Sequence, residues 1–441
     1  MTGRRYWGSV RNLPPRSTLL AASIVMGCTL ASQAVRADPL DDWLKQDYMT
    51  GDWGGLRTKL QQDGIDLRAH YIGEAAGNPT GGMSQSTKYA QQIDFGADLD
   101  LGKLAGLSNG QLHITFTDRA GRSLAADNIG NIISVQEIFG GGQNFRLAEL
   151  SYEQSFFNDS LETKIGRIHS ADDFAHSPIY CYFQNNGFCG QPAGIPIGSG
   201  FTTFPVASWG GVVKLRPQDD LYVQAGAYEV NPSLNDPDNG FKLDTSGSTG
   251  VIVPVEAGWH ATLGQEKLPG NYKIGGYYDT SSATDLSAPL SGPPATMSGR
   301  WGLYALADQM LFRESPGSDR GLTAFGVFVY ANPKTALLQY FWEAGLVYQG
   351  TFPGRDQDSI GLAVNQSRVS NDLVAAQEAQ NLLMPGSVDI QSDETDIELN
   401  YRAQLTPWFS LMPNLQYVVQ PNAVTAIPNA FVLGLQAEAT F

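Results

Sequence analysis

The chain has 441 residues, is 42% hydrophobic and 16% charged, and carries a formal net charge of −16. That acidic balance excludes the basic stripe that nucleic-acid binding requires, so no nucleic acid is expected as a partner. With Gly and Pro spread along its length and no low-complexity block, it is long enough for two or three soluble domains or one large all-β domain.

Residues 1–37 hold five arginines and no acid around the apolar run STLLAASIVMGCTLA. That run is too short to span a bilayer, and VRA before Asp38 fits a small-x-Ala cleavage site. We read 1–37 as a secretory signal peptide; VMGC, ending at Cys28, is a weaker lipobox-like alternative. Residues 38–64, DDWLKQDYMTGDWGGLRTKLQQDG after Pro39, form the one helical stretch, with Leu56 and Leu60 a turn apart and Gly64 placed to end it. This is the expected N-terminal periplasmic segment.

From Ile65 the period changes to two. In QIDFGADLDL, Ile93, Phe95, Ala97, Leu99 and Leu101 share one face, and Asp94, Asp98 and Asp100 the other. The same alternation recurs sixteen times to the C-terminus. Long connections, near 75–91, 120–144, 170–207, 230–252, 281–298 and 366–394, alternate with short ones such as RPQDD and LTPW. After the signal no run of 18 apolar residues occurs, which excludes membrane helices but not membrane strands. A propeller would show a repeat near 40 to 50 residues, which is absent. The fold class expected is therefore an all-β, sixteen-stranded antiparallel transmembrane barrel over 65–441.

A barrel of that size leaves a water-filled bore. Strand parity turns Arg68, His70, Glu74, Asp94, Asp98, His113, Arg119, Glu149, Glu256, Glu343, Glu398 and Arg402 inward, and leaves Arg146 and Arg167 ambiguous. Charges of both signs in one bore suit sugars, whose hydroxyls donate and accept, although such residues also pair among themselves. The loop 170–207 carries Phe174, Tyr180, Tyr182, Phe183 and Phe188, costly to expose, and is expected to fold inward and constrict the bore. It also holds Cys181 and Cys189, expected to join in a local disulfide, with two thiols as the alternative. HSADDFAH and DPDNG are poor metal motifs, and no GxSxG or HExxH occurs, so neither cofactor, metal nor enzyme activity is expected.

GDWGGLRTKLQQDGIDL, FTDRAGRSL, FRLAELSYEQSF, KIGRIHSADDFA and YCYFQNNGFCG, with ELNYRAQLTPWFSLMPNLQYVVQP near the end, resemble the carbohydrate-selective porins of the OprB type. The resemblance covers essentially the whole mature chain. It implies an outer-membrane channel passing glucose and related sugars by diffusion, with arginines at the constriction. By position in these motifs Arg119, Arg122, Arg146 and Arg167 become candidates for that constriction. A general diffusion pore or a structural or adhesive barrel are the alternatives. The partners expected are small carbohydrates, outer-membrane lipid and lipopolysaccharide, and the barrel assembly machinery, whose recognition signal the terminal Phe441 resembles.

Overall fold

In the computed structural model, residues 39–441 are described; the expected signal peptide over 1–37 lies outside them. Sixteen strands close on themselves, each hydrogen-bonded to its neighbours in sequence, and the first pairs with the last. They are β1 Ile65–Thr80, β2 Thr87–Asp100, β3 Gly110–Gly121, β4 Phe145–Phe156, β5 Leu161–Ile168, β6 Ser208–Gln218, β7 Leu221–Val230 and β8 Gly250–Leu263. The second half comprises β9 Leu268–Thr284, β10 Thr296–Arg313, β11 Gly321–Ala331, β12 Leu338–Gln349, β13 Ser359–Val369, β14 Asp393–Thr406, β15 Phe409–Val419 and β16 Ala430–Thr440. Closure runs from His70 opposite Thr440 to Thr80 opposite Phe431. An open strand edge in hydrocarbon would leave backbone groups without partners, and this seam removes it.

Side chains alternate as period two requires. Phe95, Ile165, Val223, Ile274, Leu303, Phe328, Leu399 and Leu433 are exposed on the outside, where lipid would cover them. Two departures from the sequence reading concern the connections. The first two strands run on to Thr80 and resume at Thr87, so the expected long loop over 75–91 shrinks to residues 81–86. The loop over 366–394 contains a helix, Asn371–Leu383, capped by the Ser370 hydroxyl accepting from the amides of Asp372 and Leu373.

The N-terminal segment folds as α1 Pro39–Leu44 and α2 Leu56–Asp63, and α2 ends at Gly64 in the left-handed conformation. It fastens to the barrel seam. Met49 N donates to Thr440 O at 2.8 Å, and Trp43 packs on Trp408 with ring centroids 4.6 Å apart. Arg57 Nη2 donates to Phe441 O at 2.8 Å while its guanidinium lies over the rings of Tyr48 and Trp53.

Candidate functional site

The interior is built as much from loops as from strands. The connection 169–207 between β5 and β6 lies inside the barrel and packs Phe174 on Tyr228, Phe201 on Tyr277 and Phe183 on both Phe188 and Phe325. These belong to one apolar cluster that includes inward residues of β6 to β13 such as Val212, Tyr304 and Phe341. The expectation that so aromatic a loop folds inward agrees with this packing. A second connection, 122–144 between β3 and β4, also packs inside, with Leu124, Ile129 and Val135 against Ala76, Val418 and Val432.

An inserted loop brings backbone N–H groups away from water, and each needs an acceptor. The wall supplies carboxylates. Glu398 accepts from the amides of Gln184 (3.0 Å) and Asn185 (2.8 Å), and Glu394 from those of Ile132, Ile133 and Asn422. Glu256 accepts from Ala175 N at 2.7 Å, Asp279 from Gly200 N at 2.8 Å, and Glu74 from Ile138 N at 3.4 Å. Such charge-assisted bonds are about twice as strong as neutral ones. Glu398, expected to line the water path, is instead fully covered by the loop it holds.

The other residues expected in the pore divide by place. Arg68, His70, Asp98 and Arg402 have the inward parity of their strands and stay partly exposed. The Arg68 guanidinium meets both oxygens of Asp98 at 2.8 Å, and His113 Nδ1 lies 2.6 Å from the same carboxylate. Arg402 Nη2 donates to Glu438 at 2.5 Å, with His70 Nε2 3.8 Å from that carboxylate. Arg68 and Asp98 keep 37% and 30% of their side-chain surface exposed and so meet water, whereas His113 is buried behind them.

Asp94, Arg119, Arg146 and Glu149 point inward but are covered, each 5% exposed or less. Arg119 Nε donates to Gln92 Oε1 at 2.7 Å and Nη1 to Gly140 O at 3.1 Å, beneath the ring of Phe204. Asp94 accepts from Gln92 and from Thr117, and Glu149 from Ser151. Arg146 owes its inward aim to a bulge: Thr115 pairs with Glu149 but Phe116 with Leu147, so Ala148 is the extra residue and parity resets. Its guanidinium donates to Asn144 and to Leu234 O.

Two residues fall elsewhere. Arg167 keeps the register of lipid-facing Leu150 and Trp209, and its guanidinium donates to the carbonyls of Lys242 and Ala207. It fastens the outer loop 231–249 to the wall. Arg122 begins the loop after β3, 70% exposed, paired with Asp127 at 2.9 Å; a rim position replaces the expected place in the constriction. Asp127 raises the Arg122 pKa through that hydrogen bond.

Cys181 and Cys189 stand as two neighbouring thiols, not joined, so the expected disulfide is not formed in this structure. Burial first, then the hydrogen bond with Cys181, pushes the Cys189 thiol well up. Packing and the carboxylate–amide bonds therefore hold the loop without a covalent link. Among the described residues no group of three or more Asp, Glu, His or Cys converges as a metal cluster would.

Comparison with known proteins gives a consistent picture. The model of the carbohydrate-selective porin, OprB family, matches residues 84–441. Porin B of Pseudomonas aeruginosa is 36% identical over 416 residues, covering 89% of this chain and 91% of that protein. A putative porin, QuiX, of Acinetobacter baylyi is 32% identical over 440 residues, covering 95% and 98%. The high-pH structure of Pseudomonas putida OprB superposes with a TM-score of 0.85 at 35% identity, covering 90% of this chain and 99% of that one.

Proposed function

The chain belongs to the OprB family of carbohydrate-selective porins and acts as a sugar channel of the outer membrane; from that premise we propose how its interior selects. Glucose and related sugars diffuse passively through the bore beside the inserted loops, and their hydroxyls exchange with the ladder of Arg68, Asp98, Arg402 and Glu438, while buried His113 braces Asp98. Carrying this reading is the pairing of partly exposed guanidinium forks with carboxylates, which sets donors beside acceptors. Arg119 and Arg146 act one step back, holding the loops that narrow the passage, and Arg167 does the same from outside.

Planar-bilayer recording with glucose titrated against ion current tests this. Arg68→Ala is expected to weaken sugar block more than it changes conductance, whereas Arg119→Ala is expected to raise conductance by freeing the loop. Equal block in wild type and Arg68→Ala would remove the ladder from the site. Absence of any sugar block would reduce the channel to a general diffusion pore.

A further inference from the structure

Beneath the inserted loops, one row of wall residues has polar groups and no use for them in what precedes. Glu343 on β12, Asn365 on β13 and Asp396 on β14 are directly opposite one another in register. They are 2%, 0% and 0% exposed. Both carboxylate oxygens of Glu343, both of Asp396, and both amide atoms of Asn365 lack a hydrogen-bond partner among the described residues. So do the hydroxyls of Ser367, one inward position further along β13, and Tyr180 on the loop above. Asn365 adjoins the Asp396 carboxylate, and the charge of Glu343 reaches Tyr180.

Leaving a buried carboxylate without a partner is costly, and two in one enclosure are costlier still. The neighbouring wall acids Glu394 and Glu398 face the same burial and are satisfied by backbone N–H groups. Glu343 and Asp396 have no such donors. Nor, among the described residues, does a lysine or arginine pair with either. What the row offers is oxygen: two carboxylates flanking an amide, with two hydroxyls at the margin.

From this geometry we propose that Glu343, Asn365 and Asp396 hold a divalent cation of calcium type between the barrel wall and the inserted loop. Adjacent strands lie about 4.8 Å apart, which puts the Glu343 and Asp396 backbones on the order of 10 Å from each other. Both residues are on the inward face of the barrel, with Asn365 between them in register. An ion above the Asn365 amide oxygen, with contacts of about 2.4 Å, is within the reach of both carboxylates. The donor set is all hard oxygen, and two negative charges balance a divalent ion. Two carboxylates are fewer than a tight cytosolic site uses, and fit an affinity in the range of extracellular calcium modules. Bound there, the ion ties three adjacent strands to the loop that narrows the bore.

The test is the calcium bound by the detergent-purified barrel in equilibrium dialysis against millimolar calcium, taken as the excess over the protein-free compartment and measured by mass spectrometry. The wild type is expected to retain about one calcium per chain, and Glu343→Gln and Asp396→Asn to retain at least about tenfold less. Heat-modifiable migration on a gel verifies that each variant is a folded barrel, and Asp285→Asn, at the rim, serves as the unaffected control. A wild type that keeps no calcium, or variants that keep as much, would overturn the proposal and leave the row to water. Should a variant fail to fold, terbium added to the wild type decides. Tyrosine-sensitised emission displaced by calcium supports the site, and its absence overturns it.

Discussion

Glu398→Gln isolates the device that holds the inner loop. The carboxylate is fully enclosed; Oε1 accepts from Gln184 N at 3.0 Å and Asn400 Nδ2 at 2.9 Å, and Oε2 from Asn185 N at 2.8 Å. Glutamine keeps the shape but only one acceptor oxygen, so one loop amide comes to face an NH2 group. Losing a bond to a charged acceptor and stranding a buried donor costs about 2–3 kcal/mol. At about 1.4 kcal/mol per tenfold, the locally open population rises about 30- to 140-fold. Hydrogen exchange followed by mass spectrometry on peptides spanning 180–190 reads this directly, while β14 itself should exchange as before. If the 184–185 amides exchange at the wild-type rate in a folded barrel, wall carboxylates do not hold the loop, and aromatic packing alone does.

Two further outcomes follow from the same anatomy. Burial, reinforced by Lys273, Lys164 and Lys214 and opposed by Asp172, pushes the loop residue His176 down to about 4 from its usual 6.5. A depressed histidine favours the docked loop while neutral, so this contribution is complete above about 6.5 and is lost as pH falls toward 4. Current fluctuations should therefore grow through that window and be flattened by His176→Asn; a trace that does not change with pH in the wild type would exclude the residue. Arg57→Ala removes the bond to Phe441 O and the stacking on Tyr48 and Trp53, loosening the N-terminal segment by about 1.5–3 kcal/mol. Limited proteolysis within 39–64 should accelerate, and Arg57→Lys should restore little because the planar fork is lost. Cleavage at the wild-type rate would mean that Trp43 on Trp408 and the Met49–Thr440 bond suffice.

The strand count was legible because alternation has a period no other element shares. Ile93 to Leu101 announces its two faces without any knowledge of neighbours, and the closing strand through Phe431 and Leu433 does the same. Arg146 was not legible, because a bulge shifts parity by one residue and Ala148 carries no mark of being the extra one. Arg122 and Arg167 sit in motifs that resemble the family's, yet strand ends and register decide their direction. The helix at Asn371 was lost inside a loop whose only signal is a serine cap.

The deeper gap concerns the acids. Period two places Glu74, Glu256 and Glu398 on the inner face, and inside a wide barrel that face reads as water. What alternation cannot encode is that two loops fold back over it. Their amides then become the partners of those carboxylates, and Glu74, Glu256 and Glu398 are fully or almost fully buried. Three acids that read as channel lining thus anchor a second, inner wall. Arg68, His70, Asp98 and Arg402 with Glu438 instead pair with one another and keep part of their surface exposed. Selectivity in such a channel depends on two separable properties, the chemistry of that wet ladder and the rigidity of the buried carboxylate anchors. A substitution in the first should change which solute blocks the current, and one in the second should change how steady the current is.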